Sequence, residues 1–346
     1  MSKRLIVLCD GTWNKAENID RRKRKPTNVV KMVRAIQPEA PDGTAQITYY
    51  DEGVGNNPGL DRLLGGGVGA GLDRNIREAY RFLVYNYAPS DAIFFFGFSR
   101  GAYAVRSLAG FIQHLGLLTK LHDFYVPEAY ELYRERPPQE ADQTAWQMRV
   151  AEFRAAHQAR TIPIEFIGVW DTVGALGVPL HWFRLPNRRR YQFHDTSLCP
   201  CIRHAYHALA IDEQRATFQP TLWESASPTQ HLEQRWFAGV HTNIGGGYEH
   251  DGLANCTLHW MKEKAVALGL SVDEDFLRPY KPWFGDELRS SMTTLYRVLG
   301  QKARLIELGT DGRQTIDESV RKRLAFPQAN YQPANVPADS SKTAGQ

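Results

Sequence analysis

Gly97-Phe98-Ser99-Arg100-Gly101 sets a serine between two glycines, after the apolar run Ile93-Phe94-Phe95-Phe96 and before a segment of helical spacing from Ala102. A serine hydroxyl serves as a nucleophile when it stands on a sharp strand-to-helix turn. The flanking glycines remove side chains that would collide with neighbouring backbone there. The start of the following helix turns its N–H groups and positive dipole end toward an oxyanion formed beside the serine. The pattern predicts acyl transfer through Ser99, with the backbone N–H of Arg100 as one oxyanion donor.

Such a hydroxyl needs a base, and the base needs a group that fixes its tautomer. Residues 164–170 form an apolar run that ends at Asp171, and Phe237-Ala238-Gly239-Val240 ends at His241. If both runs are strands parallel to residues 92–96, all three residues emerge at one sheet edge, in the order Ser, acid, His. The reading is a triad of Ser99, Asp171 and His241. His204 and His207 stay open as alternatives, in a stretch over 202–211 that reads as helical, as do His194 and Asp10 at the end of the first apolar run. Asp10-Gly11-Thr12-Trp13-Asn14 offers the second oxyanion donor, from Gly11 or Thr12, with an ordinary Asp-Gly turn as the alternative.

Positioning these residues takes a particular framework. Short runs over 5–9, 47–50, 92–96, 164–170 and 235–240 are largely apolar and apolar on both faces, as buried strands of a helix-covered parallel sheet would be. Between them, Ile76, Ala79, Tyr80, Leu83 and Tyr87 recur at helical spacing from near Asp73 to before Pro89. Val105, Leu108, Ala109, Ile112 and Leu115 mark a second helix. The alternation predicts an α/β fold, a mostly parallel sheet with helices on both faces and inserted cap or loop segments. Residues 1–326 read as one catalytic domain. Residues 120–160, broken at Pro137-Pro138, read as a cap or lid insertion, residues 180–201 as a long ordered loop, and residues 327–346 as a tail disordered at its end. Gly65-Gly66-Gly67-Val68-Gly69-Ala70-Gly71 follows no strand directly, so it reads as a flexible rim or substrate-access loop at the active edge and not as a dinucleotide cradle, with a phosphate cradle as the alternative. Gly245-Gly246-Gly247 reads as a tight return of the histidine loop.

Composition excludes several classes. The 346 residues carry a net charge of only +4, too little to argue for nucleic acid. The basic run Arg21-Arg22-Lys23-Arg24-Lys25 reads as a solvated loop, with a contact for phosphate head groups as the bolder alternative. Cys199 and Cys201 stand one residue apart, which is neither zinc nor redox spacing. No metal or organic cofactor is expected. The first apolar segment is too short for a signal peptide, and no run is long enough to span a membrane. The expectation is therefore cytoplasmic synthesis, with export by a signal-independent machine still open.

Five blocks together resemble an α/β-hydrolase family, the catalytic domain of the type VI secretion phospholipase effectors of the first lipase class. They are Asp10-Gly11-Thr12-Trp13-Asn14, Gly97 to Tyr103, Gly168 to Ala175, Ala208 to Glu213, and Gly239-Val240-His241 with Gly245-Gly246-Gly247-Tyr248. The resemblance implies a triad on Ser99, Asp171 and His241 and hydrolysis of phospholipid esters of A1 or A2 type. It is compatible with peripheral membrane contact and with a secretion-system or immunity partner. His241 departs from the pattern in being followed by Thr242-Asn243, where a small residue and an acid are expected. A general carboxylesterase, thioesterase or acyltransferase would use the same three residues, and a binding module on the same fold is the non-enzymatic alternative.

Overall fold

Strands that are apolar on both faces need cover on both sides. In β1 (Arg4–Cys9), Leu5 and Val7 face one hydrophobic cluster while Ile6 and Leu8 face another. The computed structural model describes residues 2–11, 19–53, 66–137, 143–174, 197–309 and 311–337. After β1 come a two-stranded hairpin, β2 (Ile19–Asp20) and β3 (Lys23–Arg24), then α1 (Asn28–Ala35) and β4 (Gln46–Asp51). Next are α2 (Gly66–Asn86), β5 (Ala92–Phe98) and α3 (Arg100–Leu115). A 3₁₀ segment over Lys120–Tyr125 leads to α4 (Val126–Arg134), α5 (Gln143–Ala156) and β6 (Ile164–Trp170). The chain continues through β7 (Ile202–Ala210), β8 (His231–Phe237), α6 (His241–Gly245), α7 (Gly252–Ala267), α8 (Glu274–Leu277) and α9 (Thr294–Leu299). It ends with β9 (Gln314–Ile316) and α10 (Glu318–Leu324).

Seven strands form one sheet in the order β4-β1-β5-β6-β7-β8-β9, and each neighbouring pair is parallel. The fold is α/β-hydrolase-like. Side chains of α2 to α5 bury one face, with Phe95, Val105, Phe111 and Ile167 at its centre. α1 and α7 cover the other through Val29, Met32, Leu258 and Met261 against Phe94, Phe96 and Phe166. A third cluster around Trp236, Ile316, Val320 and Tyr331 closes the β8–β9 end. The strand order reverses direction between β1 and β5. In open parallel sheets, the crevice at the carboxyl ends of such strands is where ligands bind.

Several sequence expectations change here. The stretch expected to be helical over 202–211 is strand β7, with Ala205 to Ala210 all buried between β6 and β8. Periodicity alone does not separate a short apolar run of this kind from a buried helix. The strand expected over 235–240 lies earlier, at His231–Phe237, and the three-residue β9 carries no pattern that could have announced it. The glycines from Gly66 to Gly71 are the opening turns of α2, not a rim loop, while the end of that helix falls before Pro89 as expected. The insertion packs Val126, Tyr130, Leu132, Trp146 and Phe153 into the cluster shared with α2 and α3. Most of the expected loop over 180–201 lies outside the described residues. At the C-terminal end, Tyr331 is buried and donates to Asp212 (2.9 Å), and Asn335 Nδ2 donates to the Ile211 and Arg304 carbonyls (3.0 Å each). The start of the expected tail is thus held in place, and its last nine residues lie outside the described part.

Candidate active site

A parallel sheet puts the carboxyl ends of all its strands on one edge, so Asp10 after β1, Ser99 after β5 and Asp171 after β6 share it. His241 follows β8 by a short turn and opens α6. Ser99 sits at φ 59° and ψ −119°, the strained turn expected of a nucleophile. Its N–H donates to the Trp170 carbonyl at 3.0 Å, which extends the β5–β6 ladder by one residue. The turn is possible because α3 passes very close to β1. A Cβ at Gly101 would stand 2.1 Å from the Cys9 carbonyl oxygen and 2.5 Å from that of Asp10. A Cβ at Gly97 would meet the backbone of Ala102 at 2.6 Å.

The structure brings Ser99, His241 and Asp171 together. His241 Nε2 lies 2.8 Å from Ser99 Oγ, and its Nδ1 lies 2.6 Å from Asp171 Oδ2. With the carboxylate accepting from Nδ1–H, Nε2 is left to accept the serine proton. The imidazole is packed between the Phe98 ring, 4.7 Å away, and the edge of Phe218 at 5.1 Å. Burial pushes the His241 pKa below its ordinary value, while Asp171 pulls it back up. Burial thus favours the neutral imidazole.

Asp171 has a second partner that sequence reasoning missed. Arg304, itself buried, grips both carboxylate oxygens, Nη1 to Oδ1 at 2.5 Å and Nη2 to Oδ2 at 2.9 Å. The same guanidinium donates to the carbonyls of Ala210 (3.0 Å) and Phe218 (2.6 Å). Ala210 N–H donates to Asp171 Oδ1 at 3.0 Å. Burial alone would raise the Asp171 pKa, but the charge of Arg304, with His241, overrides it and holds the carboxyl well below the usual range. Asp171 is also a non-glycine residue at positive φ, 45°. Arg304 precedes Leu305-Ile306-Glu307-Leu308 and reaches Asp171 across 133 positions, so no local spacing marked it.

Glu213 is the other missed residue. Its Oε2 accepts from the His241 backbone N–H at 3.2 Å, and Ser291 Oγ donates to its Oε1 at 2.8 Å. Arg215 neutralises it at 2.9 and 2.8 Å and lies over the Phe218 ring. Its signal was its place just beyond a buried run, in the block Ala208 to Glu213.

The remaining expected residues divide. His207 is buried in β7, where Nε2 accepts from the Thr172 N–H at 3.1 Å, and burial lowers its pKa to about 3. It braces the backbone beside Asp171 as a neutral ring. His204 lies away from this edge, near Glu165. His194 lies outside the described residues. Asp10 is buried and accepts from Thr27 Oγ1 (2.6 Å) and the Tyr50 hydroxyl (3.3 Å). Its Oδ1 takes the Gly11 N–H at 2.7 Å. That N–H is thus engaged with its neighbour's carboxylate. Thr12 lies outside the described residues, and Arg100 opens α3 immediately after Ser99. Gly246 and Gly247 both take positive φ, as the tight return requires.

The parallel sheet is α/β-hydrolase-like, and at its carboxyl edge a serine, a histidine and a carboxylate are hydrogen-bonded in series. Over residues 3–264 the chain matches the family described as "T6SS, Phospholipase effector Tle1-like, catalytic domain", and it belongs to that family. It is 30% identical over 234 residues to the uncharacterized protein YEL023C of Saccharomyces cerevisiae, covering 62% of this chain and 32% of the relative. The chain thus spans about a third of that relative's length. Two solved structures resemble it more distantly. An uncharacterized protein from Pseudomonas aeruginosa gives a TM-score of 0.43 at 17% identity, over 82% of this chain and 49% of that one. The Tle1 effector bound to the VgrG spike of the type 6 secretion system gives 0.40 at 22%, over 72% and 52%.

Proposed function

We propose that this chain is a serine ester hydrolase that cleaves acyl esters of phospholipids through Ser99, His241 and Asp171. The observation that carries the reading is the pair of hydrogen bonds, 2.8 and 2.6 Å, joining Ser99, His241 and Asp171 at a serine of positive φ. His241 Nε2 takes the Ser99 proton as Oγ adds to the ester carbonyl, and Asp171 stabilises the imidazolium that forms. The oxyanion is met by the Arg100 N–H and by a second N–H from the loop after β1. Thr12 is the residue we assign to that second role, because Gly11 already donates to Asp10. The tetrahedral intermediate collapses, the alcohol leaves with the proton from His241, and water admitted on the same base releases the acid. Membership in the phospholipase effector family supports a lipid ester and delivery by a secretion apparatus.

Two measurements test this. Ser99→Ala is expected to abolish turnover of a short-chain nitrophenyl ester while the protein stays folded, and unchanged turnover overturns the mechanism. On phospholipid vesicles the wild-type chain is expected to release fatty acid, and positional analysis of the lysolipid assigns A1 or A2. Activity on soluble esters with none on vesicles would leave Ser99 in place and sink the lipid assignment.

A further inference from the structure

Cys199 and Cys201 take no part in the chemistry above, yet the fold brings their sulfurs to 2.8 Å. The cause is local. Ile202 N–H donates to the Cys199 carbonyl at 3.0 Å, closing a β-turn whose second position is Pro200. Proline presets φ at that position, so the turn is stiff and carries its first and third side chains toward each other. Gln230 fastens the turn from outside, its amide donating to the carbonyls of Cys199 (2.8 Å) and Ile202 (2.7 Å). Both thiols also share one acceptor, the Ala109 carbonyl of α3, at 3.5 and 3.6 Å.

A covalent S–S bond is about 2.05 Å long, so less than about 1 Å separates this pair from bonding distance. Cys199 is half-buried and opens onto a cavity of about 190 Å³ lined also by Arg106, Gln113, His114, Tyr133 and Trp223. Cys201 lies buried beside it.

We propose that Cys199 and Cys201 form a redox site, a two-electron thiol–disulfide couple oxidised by a small peroxide entering this cavity. Cys199 sulfur attacks one peroxide oxygen; the S–O bond forms, the O–O bond breaks, and the departing hydroxide takes the thiol proton as water. Cys201 sulfur then attacks Cys199 Sγ; the S–S bond forms, the S–O bond breaks, and hydroxide leaves with the Cys201 proton as a second water. Two thiols are oxidised and one peroxide is reduced. Cys199 lines the cavity while Cys201 is buried behind it, which makes Cys199 the sulfur that meets the oxidant.

Both cysteines fall on a single tryptic peptide, residues 191–203, which contains no other. The full chain, reduced and then treated with hydrogen peroxide, is alkylated and digested. The expected result is loss of both alkyl groups from this peptide, which emerges lighter by two hydrogens and recovers both labels after dithiothreitol. In Cys201→Ser, Cys199 is expected to stop at the sulfenic acid and be captured by dimedone. Full alkylation of both residues after peroxide overturns the proposal, as does a wild-type peptide carrying sulfinic acid at Cys199 beside a free Cys201.

Discussion

Ser99 and Asp171 both stand just past a strand end, both with positive φ (59° and 45°), and they are held there by opposite means. Around Ser99 the constraint is steric and uncharged. Gly97 and Gly101 let α3 approach β1 until backbone touches backbone, and one ladder hydrogen bond to Trp170 fixes the turn. Around Asp171 the constraint is ionic. A wholly buried carboxylate is gripped by an equally buried guanidinium that arrives from 133 positions later in the chain. Steric support is insensitive to pH and salt. Ionic support in a dry site is stronger per contact but fails badly when one member is lost, because the remaining charge has no water to replace it.

The contrast can be broken at either end. Ser99→Ala removes the hydroxyl we propose as nucleophile without disturbing its frame, and we expect kcat to fall at least about 10⁴-fold with Tm unchanged. Arg304→Met leaves Asp171 charged and unpaired by arginine. The expected cost is about 3–5 kcal/mol in denaturant unfolding, with a loss of turnover. Adding Asp171→Asn to Arg304→Met should recover part of that stability and none of the activity. An additive double variant would show that Arg304 acts by packing instead of charge.

Gly101→Ala forces a Cβ against the Cys9 and Asp10 carbonyls and should cost about 2–3 kcal/mol. Its deficit should be the same at every pH. The Arg304→Met deficit should shrink as pH falls, since an unpaired buried Asp171 titrates upward and is neutralised. A pH-dependent Gly101→Ala deficit would collapse the distinction between the two supports.

The smallest effects are in the wild-type pH dependence. His207 titrates near about 3 when folded and at its ordinary 6.5 when unfolded. Between these values the unfolded chain binds the extra proton, so stability should decline as pH is lowered through that window. Replacing His207 by glutamine should flatten the slope there. For His241, burial depresses the pKa, so the acid limb of kcat/KM is expected below 6.5. A limb at or above that value would contradict a desolvated base.

The same contrast explains what could be read from the sequence. The Ser99 corner is assembled from five consecutive residues and the strand before them, so its chemistry and its frame are both local and visible. Asp171 and His241 could be placed as well, because each follows an apolar run and a parallel sheet aligns such ends. β7 was misread because a strand buried on both faces carries no alternation to distinguish it from helix, and its histidines were then placed on the wrong element. The turn at Pro200 shows the same limit on a smaller scale, since counting residues between Cys199 and Cys201 says nothing about which way a proline bends the chain. Arg304 reaches Asp171 across 133 positions and leaves no spacing to recognise, whereas Glu213, 28 positions from His241, shows only as the end of the block Ala208 to Glu213.

The Arg304 grip also separates two ways of drawing a boundary. The recognisable family segment ends at residue 264 and already contains Ser99, Asp171 and His241. A fragment cut there would keep the three residues of the proposed triad, yet it would lose β9 from the sheet edge and the Arg304 guanidinium that pairs with Asp171. The segment matched to the family is therefore shorter than the set of residues that balances the buried Asp171 charge. Transplanting or trimming this domain by likeness alone would keep the proposed triad and remove the arginine that pairs with its buried carboxylate, leaving Asp171 to His241 and the Ala210 N–H.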